Sequence, residues 1–562
     1  MGNLDLIFRD HYSALRAAIL DGYSLDSVAT WIETNTFLKG APFTFKDHEY
    51  QLAILSDRSR EKVVRKCSQI GISELAVRAT LALVNILDSS TIIYTLPTSK
   101  FAATFVKTRI DPVVQQSKFL RRAVSNVNDN TDIKQFNNSF LYVKGTVGTS
   151  AAISVPADGV INDEVDFSDA EVMSNYQSRL THSQHKLKWK FSTPTVDGYG
   201  ISHEFASSRR YWNFVKCHCC NHRFVPDYFE NVRIPHFYGS IREINRDNVH
   251  SYNHKLAYLE CPKCKGKPSL QPEFREWVCE NPSENYEAAG YQIQPFDAPN
   301  IISCSDLILA GTKYRRYADF INFSLGLPAE DSESSFTTAE LEALFQDGER
   351  PGYWSTVMGV DLGMVCHVMV AGVDHLGQML VVHAEKVPLG RLTERLAEIK
   401  LIYRVALTVM DSMPYTETLL AMQRFDQNLY GSVYTTSRDL RPFVLKKDEE
   451  DKEKAVLEVR QVNVNKNKAL DALMTDIRGG KLFLMRNSMQ GEIIQHMQDM
   501  KRLKDLTNDK EESFIWKKSS QGNDHFHHTL LYTWVAAQIR GVASHVIHIP
   551  RAVAKFEMEN PL

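Results

Sequence analysis

Short runs of apolar residues alternate with segments of helical spacing in both halves of the chain, and this pattern predicts an α/β protein. In the first half, a short apolar strand covers residues 61–66, a tight loop follows, and helical spacing starts at Glu74. In the second half, strands are predicted at residues 354–363, 365–373 and 379–384. Strands and helices that alternate in this way favour sheets covered by helices.

The length and composition predict a protein with more than one domain. A chain of 562 residues is too long for one hydrophobic core, so two main domains with an insert are expected. With 43% hydrophobic and 24% charged residues, the composition is that of an ordinary globular protein. No apolar run is long enough to span a bilayer and the N-terminus has no signal-peptide pattern, so we expect a cytosolic protein. The net charge of −3 gives no global basic field, which leaves local patches to hold any nucleic acid.

The strand, loop and helix that start at residue 61 have the layout of a phosphate-binding loop, in which backbone amides and a helix N-terminus face phosphates. Gly71 and Ser73 fit the usual G-x-x-x-x-G-K-[ST] spelling. Ile72 stands where the lysine normally is, and Lys66 stands where the first glycine normally is. The segment is therefore either a deviant nucleotide site or a plain β-turn-α unit.

A second acidic segment lies downstream, where an apolar strand at residues 160–162 ends in Asp163 and Glu164. In an ATP site, Asp163 would hold Mg²⁺ and Glu164 would orient the attacking water, so that charge is neutralised and the nucleophile is positioned. The alternative is a pair of solvated acids at the end of a strand. The position of this pair downstream of the loop favours the ATP site.

Two further acids lie at strand ends in the second half. Asp361 lies near the end of the first predicted strand, and Asp411 follows the apolar run 405–410. A three-strand meander that begins with an acid is typical of an RNase H-like nuclease, and pairing of the run 405–410 beside the first strand would bring Asp411 next to Asp361. Two Mg²⁺ or Mn²⁺ ions about 3.5–4 Å apart, held by carboxylates, can cleave a phosphodiester. Either acid alone would more often be a strand-end or capping residue.

These motifs resemble the large terminase subunit of tailed bacteriophages, nearest to the lambda-type pattern, in which the loop lysine stands early, as Lys66 does here. Other segments match the family in order. Residues 42–51 are similar to its adenine-binding element, 94–98 to the strand end that follows the loop helix, 191–195 to its coupling motif and 320–328 to the segment that closes its ATPase region. The order and spacing of these segments are more specific than any one of them.

The resemblance implies a set of site residues. For the ATPase they are Tyr50, Gln51, Lys66, Gly71, Ser73 and Asp163 in ATP binding, Glu164 in catalysis, and Ser192, Thr193 and Thr195 in coupling. Arg109 and Arg179 are candidates for an arginine finger, and each is otherwise a surface or structural arginine. Residues 522–531 are similar to the family pattern D-H-x-x-D-A-L, with His528 and Thr529 in place of its last Asp and Ala. This similarity implies Asp361, Asp411 and Asp524 as ligands of Mg²⁺ or Mn²⁺, and leaves Glu385 and His525 as candidates for a fourth ligand.

The function that the resemblance implies is ATP-driven movement of double-stranded viral DNA into procapsids, with metal-dependent cutting of concatemeric DNA. The implied partners are the DNA, the small terminase subunit and the portal protein, on which a homo-oligomeric ring would dock. The implied location is the host cytoplasm and, transiently, the procapsid portal. Two alternatives are a helicase-nuclease of DNA repair, disfavoured because later helicase motifs are missing, and a zinc-bearing DNA-binding scaffold with an inactive ATPase, suggested by Ile72.

Two C-x-x-C pairs lie between the halves of the chain. Cys217 and Cys220 form the first pair, Cys261 and Cys264 form the second, and forty residues separate them. Four thiolates at this spacing can close a tetrahedral Zn²⁺ site, and without a secretory context a metal is favoured over disulfides. Because four protein ligands leave no open position, such a zinc ion would be structural.

The predicted organisation follows from these motifs. Residues 1–40 are predicted to be a helical N-terminal segment, and residues 41–345 a P-loop (RecA/ASCE-like) ATPase domain with a zinc-binding insert at about 215–266. Residues 353–545 are predicted to be an RNase H-like nuclease domain, followed by an extended C-terminal tail at 546–562.

Overall fold

The computed structural model describes residues 25–146, 155–314, 316–329, 335–347, 355–374, 376–435, 443–445, 460–505, 514–519 and 522–540. Its contacts divide the chain into two compact units, Met1–Asp331 and Ser332–Leu562. The predicted tail at 546–562 and the first 24 residues of the predicted N-terminal segment lie outside the described residues. The predicted domain boundaries stay predictions, although strand Phe345–Gln346 pairs within the sheet of the second unit.

The first unit is built on one large mixed sheet. In the described residues its strands lie in the order Arg223–Phe224, Arg209–Lys216, Ala289–Ile293, Glu61–Lys66, Leu187–Ser192, Gly159–Asp163, Thr91–Leu96, Ser139–Gly145, Ile133–Phe136 and Val124–Asp129, and Arg275–Cys279 also pairs with Arg209–Lys216. The central pairings are parallel and the outer ones antiparallel. Short two-stranded pairs are formed by Phe37–Leu38 with Ala41–Pro42, and by Val232–Arg233 with Tyr258–Leu259.

Helices cover this sheet and connect its strands. The α-helices are Leu25–Asn35, Tyr50–Ser56, Ile72–Ile86, Ser99–Phe105, Asp111–Gln116, Lys118–Ala123, Ala170–Gln177, Gly200–Ala206, Tyr228–Asn231, Cys304–Lys313 and Tyr317–Asp319, and the π-helical turns are Val106–Ile110 and Phe320–Leu325. Helix Ile72–Ile86 is buried along most of its length in the largest apolar cluster of the unit. The central strands are buried on both faces, which explains why their sequences are continuous apolar runs.

The parallel strands bring three chain segments to one edge of the sheet. Glu61–Lys66, Leu187–Ser192 and Gly159–Asp163 are neighbours in that order, and each runs in the same direction. The residues at their carboxyl ends therefore lie side by side, which is where open α/β sheets hold ligands.

The second unit contains a second mixed sheet. Its described strands lie in the order Phe345–Gln346, Leu482–Met485, Met379–Pro388, Val365–Val373, Ser355–Asp361, Leu407–Asp411, Leu429–Tyr434, Gln461–Val464 and Phe443–Leu445. The first three strands of the predicted meander are antiparallel, and Leu407–Asp411 pairs in parallel beside Ser355–Asp361. The pairing predicted for the run 405–410 is thus confirmed. A separate antiparallel pair is formed by Met500–Lys504 and Phe514–Lys518.

One helix of the second unit lies directly on the first strand of its sheet. The helices of this unit are Thr338–Glu342, Leu392–Tyr403, Thr416–Gln423, Lys466–Arg478, Gln490–Asp499 and His525–Ile539. The strand residue Gly359 lets His525–Ile539 approach, because a Cβ at this position would collide with the backbone of Thr529 and Thr533. The close approach places the start of the helix beside the end of the strand.

Both units are α/β, as the sequence pattern predicts. None of the helices that the model describes is long and apolar enough to cross a membrane.

Candidate functional site

Lys66 and Glu164 form an ion pair at the carboxyl edge of the first sheet. The Nζ atom of Lys66 lies 3.5 Å from Oε1 of Glu164, although Lys66 ends one strand and Glu164 follows another two positions away in the sheet. Burial works against the charge of Lys66, but Glu164 and Asp163 outweigh it and raise the pKa of the lysine. Burial also raises the pKa of Glu164, against the opposing effect of Lys66. The early lysine therefore faces the acid that the sequence pattern assigns to catalysis.

The two neighbouring acids of this edge face different partners. Asp163 accepts a hydrogen bond from the hydroxyl of Tyr94 at 2.7 Å, whereas Glu164 faces Lys66. Glu164 has a φ of 57°, in the left-handed region that non-glycine residues seldom adopt. Such local strain is typical of functional sites. The backbone turn at Glu164 directs the second carboxylate away from the first.

The loop that follows Lys66 is held by residues of an earlier helix. Gly71 has a φ of 78° and caps helix Ile72–Ile86, whose first turn contains Ser73. The hydroxyl of Tyr50 donates a hydrogen bond to the carbonyl of Ile70, and Nε2 of Gln51 donates to the carbonyl of Gly71 at 3.3 Å. Tyr50 and Gln51 thus contact the loop itself.

Asp166 links the acidic segment to the predicted coupling motif. Its Oδ2 accepts hydrogen bonds from the backbone N–H and the hydroxyl of Thr195, both at 2.7 Å, and its Oδ1 accepts from the N–H of Ile201 at 2.7 Å. The N–H of Asp166 donates to Oγ of Ser192 at 3.2 Å, and that hydroxyl contacts the carbonyl of Thr193. Burial raises the pKa of Asp166 to about 7, against the lowering effect of these hydrogen bonds. The sequence analysis did not single out Asp166.

The two arginine candidates differ in their surroundings. Arg109 is half-exposed, and its Nη1 lies 2.6 Å from Oε1 of Glu74 in the first turn of the loop helix. Arg179 lies in the turn Ser178–Leu180, and its Nε is buried without a hydrogen-bond partner among the described residues. Arg109 is therefore connected to the loop helix within this chain, whereas no contact in the described part of the chain places Arg179 there.

The four cysteines of the two C-x-x-C pairs converge. Sγ of Cys217 lies 3.7 Å from Sγ of Cys264, Sγ of Cys220 lies 3.7 Å from Sγ of Cys261, and all four lie within 4.8 Å of one another. These distances are too long for a disulfide, in which the sulfurs are about 2.05 Å apart. They match the separation of about 3.8 Å expected when tetrahedral Zn–S bonds are about 2.3 Å long. The donor set and its spacing therefore fit zinc.

In the second unit, Asp361 is surrounded by imidazoles. Nδ1 of His525 lies 2.9 Å from Oδ2 of Asp361, and this hydrogen bond raises the pKa of His525. His367 is the antiparallel partner of Asp361 across the hairpin, and its ring stacks on that of His525 at 4.7 Å. Asp361, His367 and His525 each offer an atom within 4.8 Å of the other two. Of the two residues considered for a fourth ligand, His525 is the one in contact with Asp361.

Asp411 and Asp524 do not belong to that group of three. Burial and then the charge of Asp361 raise the pKa of Asp411 to about 6, although a backbone N–H lowers it. Asp524 pairs with His528, whose Nε2 lies 3.2 Å from Oδ2. Burial opposes the charge of Asp524, but His528 and then Lys518 hold its pKa well below its usual range. Asp411 thus senses Asp361, whereas Asp524 is engaged with cationic neighbours.

Glu385 is engaged elsewhere. Both its carboxylate oxygens accept hydrogen bonds from Arg395, at 2.7 and 2.9 Å, and His383 lies 3.3 Å away. Burial opposes its charge, but these partners hold the pKa of Glu385 below its usual value. The contacts of Glu385 therefore do not support it as the fourth ligand.

Comparisons with known proteins agree with this description. Residues 47–273 match the family model for the phage terminase large subunit gpA, ATPase domain. The structure is similar to the large terminase of bacteriophage HK97, with a TM-score of 0.50 and 11% identity over 91% of this chain and 99% of that one. A large terminase from a thermophilic bacteriophage gives 0.30 and 10% over 92% and 99%, and the magnesium-bound nuclease of the thermophilic phage G20c gives 0.25 and 12% over 37% and 98%. A comparison with curated proteins found no match.

Two of these findings bear on the sequence analysis. The match over residues 47–273 confirms the resemblance that the motifs suggested. The HK97 enzyme supports the fold across both units, but at 11% identity it supports the fold alone.

Proposed function

Because residues 47–273 match the ATPase domain family of the phage terminase large subunit, we propose that this chain is the large terminase subunit of a tailed phage. In this role it hydrolyses ATP to drive double-stranded DNA into procapsids and cuts concatemeric DNA with a metal-dependent nuclease. The observation that carries the proposal is the ion pair of Lys66 and Glu164, because it joins the deviant loop to the catalytic acid in one buried site.

In the ATPase, each residue of this edge has a distinct role. Lys66 binds the β- and γ-phosphates, Ser73 and Asp163 hold Mg²⁺, and Glu164 orients and deprotonates the attacking water. Bound Mg²⁺–ATP would supply the phosphoanhydride that is cleaved and the charge that Lys66 and the metal neutralise. The burial of Lys66 and Glu164 supports these roles, because electrostatic interactions are stronger where water is excluded. Tyr50 and Gln51 hold the loop and border the adenine.

The coupling motif and the arginines complete the motor. Ser192, Thr193 and Thr195 follow the strand that lies between those of Lys66 and Asp163, so they are placed to sense the state of the nucleotide. Arg109 is the stronger candidate for an arginine finger, because it is exposed and contacts Glu74 on the loop helix. Arg179 remains the alternative, supplied to a neighbouring subunit.

In the nuclease, Asp361, Asp411 and Asp524 bind Mg²⁺ or Mn²⁺, and His525 assists Asp361. The residues fit a cation, because the raised pKa of Asp411 reflects burial beside a second carboxylate, and a cation would relieve that repulsion. Bound metal would supply a Lewis acid for the phosphodiester and lower the pKa of a water. Binding of Asp524 requires its contact with His528 to loosen.

Zn²⁺ is held by Cys217, Cys220, Cys261 and Cys264. The sulfur separations of 3.7 Å support this assignment. The site stabilises the segment between the two cysteine pairs, because the apolar cluster around Cys217 and Cys261 is small and depends on the crossing of two loops.

The partners follow from the same function. They are double-stranded DNA, the small terminase subunit and the portal protein of the procapsid, with the chain acting as a homo-oligomeric ring when docked on the portal. The protein then works in the host cytoplasm and transiently at the procapsid.

A packaging assay tests this function. Purified chain, procapsids, small subunit and linear DNA are incubated with ATP, and DNA protected from added nuclease is measured. Protection that needs ATP supports a terminase. A helicase-nuclease would instead unwind a labelled duplex in a strand-displacement assay, and a DNA-binding scaffold would show no ATP turnover with or without DNA.

A further inference from the structure

His367 is a buried side chain of the second unit that none of the roles above uses. It lies on strand Val365–Val373, and only 4% of its surface is exposed. Its Nδ1 is buried without a hydrogen-bond partner among the described residues. A buried polar atom without a partner is unfavourable, and most such atoms in proteins are satisfied by a side chain, a water or an ion. His367 therefore needs a partner at this position.

The surroundings of His367 indicate what that partner is. His367 pairs with Asp361 in antiparallel register, so the two side chains lie on the same face of the sheet. One ring nitrogen of His367 lies within 4.8 Å of ligand atoms of both Asp361 and His525. The rings of His367 and His525 are nearly parallel, with 9° between their planes. Donors that share an ion at about 2.1 Å are at most about 4.2 Å apart, so small side-chain adjustments bring these three atoms onto one ion.

The next imidazole in the same cluster has a different role. Nδ1 of His496 accepts a hydrogen bond from the N–H of Phe526 at 3.2 Å, so in the neutral ring the proton resides on Nε2. That Nε2 lies 3.7 Å from Oε1 of Glu492, whose two oxygens also accept hydrogen bonds from Lys386 at 3.1 and 2.8 Å. His496 and Glu492 are thus engaged with protein partners, and they support the ring of His367 from behind.

We propose that His367 is a ligand of the nuclease metal, together with Asp361 and His525, and that this pair of imidazoles makes the centre prefer Mn²⁺ to Mg²⁺. The inference rests on the proposed nuclease function. Imidazole nitrogen suits transition-metal ions, whereas Mg²⁺ prefers oxygen donors in an octahedral shell and dehydrates reluctantly. Three carboxylates would have formed an all-oxygen site, but the residues that meet around Asp361 are two histidines.

Electron paramagnetic resonance of Mn²⁺ bound to the full chain tests this assignment. Histidine is labelled with ¹⁵N, and pulsed measurements detect nitrogen that is bonded to the ion. We expect coupling to two imidazoles in the wild-type chain and to one in His367→Gln, with Mn²⁺ affinity reduced at least about tenfold, because even outer-shell partners of metal ligands have effects of that size. His496→Gln is the matched control, and it should keep both couplings. Excess Mg²⁺ should displace Mn²⁺ poorly from the wild-type chain and more readily from His367→Gln.

The outcomes separate this inference from the function on which it rests. If Asp361→Asn binds Mn²⁺ as the wild-type chain does, the nuclease centre itself is wrong. If Mn²⁺ binding needs Asp361 but His367→Gln keeps both nitrogen couplings, only the role of His367 is wrong. If His367→Gln does not fold, His525→Gln decides, because it should retain one nitrogen coupling from His367, and loss of all nitrogen coupling would overturn the proposal.

Discussion

The Nζ atom of Lys66 lies 3.5 Å from Oε1 of Glu164, although 98 residues separate them in the chain. Lys66 is the last residue of its strand and not part of the helix start, so its side chain extends along the sheet edge past the intervening strand Leu187–Ser192. A lysine at the usual position, next to Ser73, would approach the phosphates from the helix instead. The ion pair therefore explains how a loop with Ile72 at that position retains a cation beside the catalytic acid.

Replacing Lys66 tests this explanation. We expect Lys66→Ala to reduce ATP turnover at least about 100-fold, because removal of one preorganised charge-stabilising group commonly has an effect of that size. Cutting of plasmid DNA by the second unit should persist. Lys188→Ala is the control, since Lys188 is a partly exposed lysine on the neighbouring strand that pairs with Glu61. Wild-type ATP turnover in Lys66→Ala would refute the assignment of the early lysine.

Asp166 gives a prediction about coupling. Asp166→Asn replaces an acceptor of three hydrogen bonds with a group that must present N–H atoms to at least one donor of Thr195 or Ile201. We expect nucleotide binding to change little, while the stimulation of ATP turnover by DNA is lost, because Thr195 is no longer held to the acidic segment. Asp169→Asn is the control, since Asp169 caps only its own helix. Equal DNA stimulation in Asp166→Asn and wild type, measured as phosphate release, would contradict this role.

The sequence predicted the elements of the first site better than those of the second. Lys66 and Glu164 were found because each stands at the end of an apolar run, and parallel strands bring such ends together. Asp166 was missed because Thr195 and Ile201 lie 29 and 35 residues away, and local sequence does not reveal those bonds. His367 was also missed, yet a tight turn centred on residue 364 pairs position 361 with position 367. That hairpin register was a usable signal.

The zinc site gives a prediction about stability. We expect elemental analysis to find about one zinc per chain, and Cys217→Ser or Cys264→Ser to lower the thermal stability and solubility of the protein, because metal binding and folding of such a segment are coupled. Cys279→Ser is the control, since Cys279 contacts only Asn281 among the side-chain partners described. A wild-type protein that is folded, active and free of zinc would exclude the site.

Lys62 gives a prediction about pH. Burial lowers its pKa to about 7, whereas in the unfolded chain it is near 10.5. Between these values the unfolded chain binds a proton that the folded chain does not, so the free energy of unfolding rises with pH, by up to roughly 1.4 kcal/mol per pH unit. Lys62→Met should remove this increase between pH 7 and pH 10 in denaturant titrations. Lys188→Met should keep it, and an equal slope in Lys62→Met and wild type would show that Lys62 stays charged when buried.

Asp361 gives the prediction that separates the two activities. We expect Asp361→Asn to reduce DNA cutting by several orders of magnitude while ATP turnover stays at the wild-type level, because the two chemistries use different units of the chain. Asn keeps the size of the side chain but loses the charge that attracts a divalent ion and the bond to His525 in its present form. Asp374→Asn is the control, since Asp374 is an acid of the same unit that accepts hydrogen bonds from its own turn.

The metal dependence of the same reaction completes this test. Cutting by the wild-type chain should require added Mn²⁺ or Mg²⁺ and should survive a chelator treatment that is reversed by either ion alone, without zinc. Asp411→Asn should behave like Asp361→Asn, because burial and the charge of Asp361 raise the pKa of Asp411, and a shared cation is what offsets that repulsion. If Asp411→Asn cuts DNA at the wild-type rate while Asp361→Asn is inactive, the two aspartates do not share a metal. The catalytic centre then consists of Asp361 and the histidines that surround it.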